Sequence, residues 1–487
     1  MRKYFPSTRK WIGLTTGVLI SLIFYFANPF EVDQQARKTL AVAALMISWW
    51  IAEALPMPVV ALMPLILFPL LKISTLEEAA SPYANPVIFL FLGGFMLGLA
   101  IEKWNLHKRI ALNIVRITGT SGDRIVLGFI MAAGLLSMWL SNTATTMMMF
   151  PIALSVIHVM KENHQGEGNL YHFSLTIMLA IAYASNIGGI STIIGTPPNV
   201  AYVGYLDRTH PELSIDFVSW MMICTPLAII LLICLYWVMV KWLFPSRIRS
   251  NAATKELIRA ELRSLGPISV AEKRVLVIFS ITAFLWITRE IINSIQTLFR
   301  LDDTIIAVMC AVALFICPSG EKGPRSEKND SLLEWNDTSK MAWGILLLFG
   351  GGIALAGALE KAGLIQQLGQ WLAQFAGNGF ILIVLIALVS IFISEVMSNV
   401  AQVIVFAPVV TSLANAIGMH PLMLGLPMTL AASCASMLPM GTPPNAIVFA
   451  SGHIRLNQMT RAGFVMNVIA VLLISLFCWF LLPLIIS

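Results

Sequence analysis

The string Gly-Thr-Pro-Pro-Asn occurs twice, at residues 195–199 and 441–445, each time inside an apolar stretch. Neither proline can donate the helical hydrogen bond, and the first disfavours the α conformation in the threonine before it. Each copy is therefore a break in a helix. With 58% hydrophobic residues, 11% charged residues and a mean hydropathy of +0.82, the chain is far from the roughly 45–50% apolar and about 25% charged composition of a soluble domain. A cytosolic globular enzyme is excluded. Backbone at membrane depth is helical unless it is buried in protein or lines a water-filled cavity, so two breaks predict a cavity within the bilayer.

Scanning for the roughly 20 apolar residues that cross a bilayer predicts spans near 11–27, 38–54, 57–71, 87–102, 173–206, 215–243, 274–298, 303–317, 341–360, 421–450 and 462–486. The blocks 125–160 and 380–415 are too long for one crossing, and each is interrupted at its centre by Ser-Asn. Both read as re-entrant hairpins. The fold class is thus an all-α polytopic membrane protein with 11 transmembrane helices and two re-entrant hairpins. With the N-terminus in the cytoplasm, most of the 31 basic residues fall on the cytoplasmic side, as the positive-inside rule requires. The C-terminus then lies outside. The net charge of +6 follows this topology and implies no nucleic-acid partner.

The basic start followed by the 11–27 run superficially looks like a signal peptide, but it lacks a small-residue cleavage site and reads as a retained helix. No two of the six cysteines form C-x-x-C, so a reduced, structural role is expected. The loops 244–274 and 318–340 read as solvated cytoplasmic connectors. In the first of them, Arg247, Arg249 and Arg259 are candidates for contact with anionic headgroups.

The breaks belong to a longer repeat. Phe91-Leu92-Gly93-Gly94, followed by Leu97, Ala100, Glu102, Lys103 and Leu106, recurs 258 residues later as Phe349-Gly350-Gly351-Gly352, with Leu355, Ala358, Glu360, Lys361 and Leu364. Ser141-Asn142-Thr143 and Ser398-Asn399-Val400 follow in order, and then the two Gly-Thr-Pro-Pro-Asn strings. Residues 1–37 precede the repeats. Repeat 1 covers 38–243, with hairpin 125–160 and broken helix 173–206; 244–273 is a linker; repeat 2 covers 274–487, with hairpin 380–415 and broken helix 421–450. Because 87–102 and 341–360 run in opposite directions in this topology, the repeats are inverted. Inverted repeats with broken helices are a pattern of secondary transporters that bind substrate at the midplane.

The chemistry follows from the ends. A helix stopping at a break leaves free carbonyl oxygens for a small cation, and one restarting there presents N–H groups and partial positive charge. Ser-Asn at a hairpin tip caps the returning helix and aims more N–H groups inward. An anion fits this setting. No Lys or Arg lies within either motif, so its charge must be offset by helix ends, hydroxyls, amides and co-bound cations. Ser137 and Ser394 stand one turn before the tips on the same face and are placed as cation ligands, against the bland alternative of bonding back to their own helices.

Glu395 has two readings, cation or proton coupling or a structural partner; its counterpart in the first repeat is Met138. Glu102-Lys103 and Glu360-Lys361 read as snorkelling pairs at helix ends. Arg289-Glu290 reads as a local or bundle-facing pair. The histidines lack a metalloprotease spacing and no P-loop is present.

On the paired Ser-Asn tips and paired Gly-Thr-Pro-Pro-Asn breaks, the sequence resembles the divalent anion/sodium symporter family, the di- and tricarboxylate transporters, over nearly the whole chain. The resemblance implies a homodimer of elevator-type protomers, each with a scaffold domain and a transport domain. It implies one Na⁺ site at Ser137, Asn142 and the backbone around Gly195, and another at Ser394, Asn399 and the backbone around Gly441. Substrate carboxylates would meet Ser141, Asn142, Thr143, Ser398, Asn399, Thr196, Pro197, Thr442 and Pro443. Val400 replaces a family threonine beside these, and Thr145 stands where exchangers carry an arginine, which favours Na⁺ symport.

The expectation is Na⁺-coupled uptake of a C4-dicarboxylate (succinate, malate or fumarate) across a bacterial inner membrane, by a protein that is not an enzyme. The alternatives are citrate or 2-oxoglutarate transport and Na⁺-independent exchange. An intramembrane hydrolase at Ser141 or Ser398 lacks a neighbouring base, and saturable, Na⁺-dependent uptake would separate a carrier from a channel.

Overall fold

Prolines, glycines and capping side chains set the helix ends in the computed structural model, which describes residues 8–119, 121–162, 169–246, 248, 252–320, 331–374 and 377–486. Arg247 and Arg249 lie outside these residues. Arg259 approaches Glu256 at 4.0 Å. The described residues are helical apart from turns and one isolated bridge, Pro318 with Ser331.

The principal helices are α1 (Thr8–Ala27), α2 (Gln34–Ile51), α3 (Pro86–Lys103), α4 (Leu106–Thr118), α5 (Gly122–Ser137), α6 (Asn142–Glu162), α7 (Leu170–Gly189), α8 (Pro197–Thr209), α9 (Phe217–Tyr236) and α10 (Ala252–Ser264). They continue with α11 (Val270–Ile295), α12 (Asp303–Ile316), α13 (Trp343–Lys361), α14 (Leu364–Ala373), α15 (Gly379–Ser394), α16 (Asn399–Ala416), α17 (Leu422–Ser433), α18 (Pro443–Phe449) and α19 (Leu456–Phe480).

From α3 to α9 and from α13 to α19 the elements follow one plan. Even the turn before each short arm matches: Asn105 (φ 55°) starts α4 and Gly363 (φ 70°) starts α14, both left-handed. That conformation is strained for most residues and easiest for Gly and Asn.

Nine helices among the described residues have the length and apolarity to cross a membrane, and four apolar helical stretches are shorter. The long set includes α6 and α16, which are the returning arms of the expected hairpins. The 57–71 segment is not one helix: Met57–Val60 and Met63–Leu70 are separate, each with a proline in its first turn. The expected span at 303–317 is the 14-residue α12, about 21 Å long at 1.5 Å per residue.

Side chains cap the starts where the sequence offers them. Asp33, Asp216 and Asp302 accept from Ala36, Ser219 and Ile305 N–H. Ser269 and Glu272 form a capping box at α11.

Two groups of helices meet around the breaks. In one, α7 packs on α5, α6 and α9, and α15 packs on α17 and α19. In the other, α12 packs on α3 and α11. The short α8 touches both, lying against α16 and α17 on one side and α13 and α3 on the other. Close approach of α5 and α7 depends on Gly188, where a Cβ would fall on the Gly134 backbone.

Candidate functional site

The two breaks have the same local build. Thr196 (φ −144°, ψ 140°) and Thr442 (φ −144°, ψ 150°) are extended, and a helix restarts at the proline after each. Each motif's asparagine then bridges its own break. Asn199 Nδ2 donates to the carbonyls of Gly189 (3.2 Å) and Thr192 (2.8 Å); Asn445 Nδ2 donates to those of Ala435 (3.3 Å) and Leu438 (3.2 Å). A buried unwound segment keeps its shape only if its polar groups find partners, and these amides supply them.

The tips are equally alike. Ser137 Oγ donates to Asn142 Oδ1 at 2.6 Å, and Ser394 Oγ lies 2.7 Å from Asn399 Oδ1. Ser394 Oγ also reaches the Ala432 carbonyl at 2.6 Å. Ser141 Oγ accepts from Ala144 N–H at 3.2 Å and so caps α6.

All ten candidate substrate residues line one cavity of about 2040 Å³: Ser141, Asn142, Thr143, Thr196, Pro197, Ser398, Asn399, Val400, Thr442 and Pro443. Exposed Lys10, Glu53, Glu102 and Lys340 also border it and mark its mouth. The helix starts of α6, α8, α16 and α18 thus converge on one space, which concentrates partial positive charge and free N–H groups there.

Of the candidate cation ligands, Asn142, Asn399 and Gly441 line this wall and the other three sit behind it. Ser137, Gly195 and Ser394 are buried and do not line the cavity, whereas Gly441 does. Around Gly195 oxygens crowd together: a Cβ there would meet Gly189 O and lie 3.0 Å from Ser137 O, while one on Gly189 would meet Asn142 Oδ1. Hard oxygen donors gathered on unwound backbone are the donor type that a small cation selects.

Glu395 has a definite environment. Its Oε1 accepts from Ser436 N–H, Met437 N–H and Asn467 Nδ2, and its Oε2 from Leu438 N–H, all at 2.8 Å. This buried carboxylate holds the segment that leads to Gly441, contacts of the kind the structural-partner reading expects, and its Oε2 also lies beside Gly441 itself. The first repeat does the corresponding work with Thr192, whose hydroxyl donates to Met138 O at 2.5 Å and accepts from Gly195 N–H at 3.0 Å.

Sequence reasoning missed Thr192, Asn467 and Asn186. Asn186 Nδ2 donates to Thr442 Oγ1 at 3.0 Å, joining α7 to the second break, and the residue borders the cavity. An amide in the last turns of a mostly apolar helix was its available signal. Four buried oxygens here, Asn186 Oδ1, Asn199 Oδ1, Thr145 Oγ1 and Gln402 Oε1, have no hydrogen-bond partner. Thr145 and Gln402 each stand three residues after the tip asparagine of their repeat.

The other charged candidates make peripheral contacts. Lys103 pairs with Asp337 at 2.7 Å, Lys361 with Glu78 at 3.8 Å, and Glu360 faces His210 at 4.0 Å. Arg289 joins Glu290 (2.5 Å) to Asp216 (2.6 Å) and Asp303 (2.8 Å). Among the described residues no group of three His, Cys, Asp or Glu is arranged to hold a metal ion.

Comparison with known proteins agrees with this architecture. The sodium:sulfate symporter transmembrane region matches residues 8–486. The sodium-dependent dicarboxylate transporter SdcS of Staphylococcus saprophyticus is 39% identical over 479 residues, covering 97% of this chain and 91% of that protein. Its namesake in Staphylococcus aureus strain MRSA252 is 38% identical over 489 residues, covering 99% and 93%. Two solved structures are similar in fold alone. Neisseria gonorrhoeae MtrF has a TM-score of 0.56 at 13% identity, covering 85% of this chain and 84% of its own. The Alcanivorax borkumensis YdaH transporter has a TM-score of 0.57 at 13% identity, covering 84% and 87%.

Proposed function

The chain belongs to the sodium:sulfate symporter family, and from that premise we propose that it is a Na⁺-coupled importer of C4-dicarboxylates such as succinate, malate or fumarate. It is a membrane carrier and not an enzyme. Its relatives at 38–39% identity are named sodium-dependent dicarboxylate transporters, which supports Na⁺ as the co-transported ion and a dicarboxylate as the cargo.

One observation carries the reading: both Ser-Asn tips and both Thr-Pro starts line the same cavity. In the motifs themselves the guest meets N–H groups, hydroxyls and amides but no cationic side chain. A dianion there needs compensating cations, and the oxygen-rich pockets at Ser137, Asn142 and Gly195 and at Ser394, Asn399 and Gly441 would hold Na⁺. Two Na⁺ neutralise one dianion. A cation at either pocket would draw the amide oxygens of Asn142 or Asn399, order the tip, and leave its N–H groups aimed at substrate carboxylate. Na⁺ binding therefore precedes the substrate.

The cavity mouth at Lys10 and Lys340 is the end the positive-inside rule puts in the cytoplasm, which supports an inward-open conformation of a bacterial inner-membrane protein. Hairpins, broken helices, α9 and α19 would form the moving body of an elevator against α3, α11, α12 and α13, in each protomer of a homodimer. Neutral Thr145 supports symport over exchange.

The test is uptake of labelled succinate by proteoliposomes under a Na⁺ or a K⁺ gradient, with malate, citrate and 2-oxoglutarate as competitors. Na⁺-driven uptake that Asn142→Ala and Asn399→Ala each reduce at least tenfold is expected. Uptake that ignores Na⁺, or that survives both substitutions, overturns the assignment. Stronger competition by citrate than by malate would move the substrate class.

A further inference from the structure

The tip of the first hairpin is not free. Trp139, two residues before Ser141, stacks parallel to Trp286 of α11 (ring centroids 6.4 Å apart, 10° between planes) and meets Phe279 of the same helix edge-on at 4.8 Å. Trp286 also stacks on Phe217, the first residue of α9, at 4.1 Å. Its indole N–H donates to the Asp303 carbonyl at 3.1 Å.

An ionic layer adjoins the rings. Arg289, one turn beyond Trp286 on α11, pairs with Asp216 at 2.6 Å and with Asp303 at 2.8 Å. The second carboxylate oxygen of Asp303 accepts from Phe217 N–H at 2.7 Å. The α9 start is thus held twice, by its cap residue and by its first amide. At the second tip the counterpart of Trp139, Val396, is 68% exposed.

Two groups of helices are joined here. Trp139, Asp216 and Phe217 belong to the group of α5, α7 and α9, and Phe279, Trp286, Arg289 and Asp303 to that of α3, α11 and α12. Aromatic attraction is confined to centroid separations of about 4.5–7 Å and close ion pairing to about 4 Å. A displacement of a few ångströms between the groups breaks both layers together.

We propose that Trp139 is a positioning residue: docked on Trp286 while Arg289 clamps the start of α9, it sets the Ser141–Asn142 half of the site in the conformation seen here, and this aromatic and ionic joint must open for the cavity to face the other way. The inference rests on the carrier reading above, including its moving body. It couples the Ser141–Asn142 half-site to the relative position of the two groups.

Two measurements on proteoliposomes test it. In a Phe217→Cys/Trp286→Cys double variant whose six native cysteines are replaced by alanine, bridging the two thiols with Hg²⁺ pins the two groups of helices together. Uptake of labelled succinate should fall at least tenfold and return with excess dithiothreitol, while each single variant is unaffected by the same treatment. Uptake that continues undiminished after bridging overturns the proposal. Secondly, Trp139→Ala and Arg289→Gln should each shift the Na⁺ concentration for half-maximal uptake several-fold, with Trp139→Phe close to the parent. Arg289 touches no candidate ligand, so a purely structural role would reduce the amount of folded carrier and leave that concentration unchanged; that result too overturns it. Were the unmodified protein to carry succinate without Na⁺, the coupling assignment would fail while the bridge still decides the fate of the joint.

Discussion

Asn467 Nδ2 donates to Glu395 Oε1 at 2.8 Å, completing the four hydrogen bonds that keep this carboxylate in the interior. Removing the acceptor strands the Met437 and Leu438 N–H groups and the Asn467 amide, while Ser436 N–H keeps Asn467 Oδ1 at 3.2 Å, and each buried donor left unsatisfied costs about 1–3 kcal/mol. Glu395→Ala is expected to lower the unfolding temperature in detergent and to abolish uptake. Glu395→Gln turns an NH₂ toward N–H donors and should retain only part of both. Asn467→Ala, which leaves the carboxylate its three backbone donors, should be milder than either. Equal stability of Glu395→Ala and the parent would contradict this account.

Glycines on the α5 and α7 faces give a second prediction. A methyl group on Gly188 would collide with the Gly134 backbone, whereas one on Gly357 of α13 meets nothing within 4 Å. Overpacking a tight contact costs about 1–3 kcal/mol, and replacing glycine by alanine in a helix gains up to about 1 kcal/mol. Gly188→Ala should therefore unfold at lower temperature than the parent and Gly357→Ala at the same or higher temperature. A common shift of both would show that the α5–α7 approach does not limit stability.

How far the residues announce this fold depends on the range of the interactions. Pro197 and Pro443 act on the residues beside them, so both breaks lie where the two Gly-Thr-Pro-Pro-Asn strings put them. The helices on either side of the two Ser-Asn pairs span 122–162 and 379–416, against expected limits of 125–160 and 380–415, because apolar length alone fixes them approximately. Thr192, Asn186 and Glu395 differ. Their partners Met138, Thr442 and Ser436 lie 54, 256 and 41 residues away, and no local pattern encodes such a pairing. Trp139 likewise reads as one more apolar residue until α11 is seen beside it.

Val400 takes the place in the second tip that Thr143 takes in the first, and both border the cavity. Val400→Thr adds a hydroxyl of nearly the same volume on the side that lacks one. A new hydrogen bond to a charged carboxylate contributes roughly 1.5–3 kcal/mol where geometry allows, so the apparent affinity for succinate should rise roughly ten- to a hundredfold. Thr143→Val should lower it by a similar factor. Competition curves against labelled succinate measure both changes, and movement of the two variants in the same direction would show that these side chains do not face equivalent carboxylates.

His107 on the short arm α4 is buried, with Nδ1 3.0 Å from the Ile101 carbonyl, and burial pushes its pKa below the usual imidazole value. The folded protein thus holds it neutral, with Nδ1–H donating. In the unfolded chain it titrates near pH 6.5, so below that pH the unfolded state binds the extra proton. Its contribution to stability is complete above about pH 6.5 and is lost as the pH falls through that value toward the folded-state pKa. The unfolding temperature of the parent should drop between pH 7.5 and 5.5. His107→Asn retains a side-chain donor for Ile101 but does not titrate, so it should flatten part of that drop. Parallel profiles for parent and variant would assign the acid sensitivity to other groups.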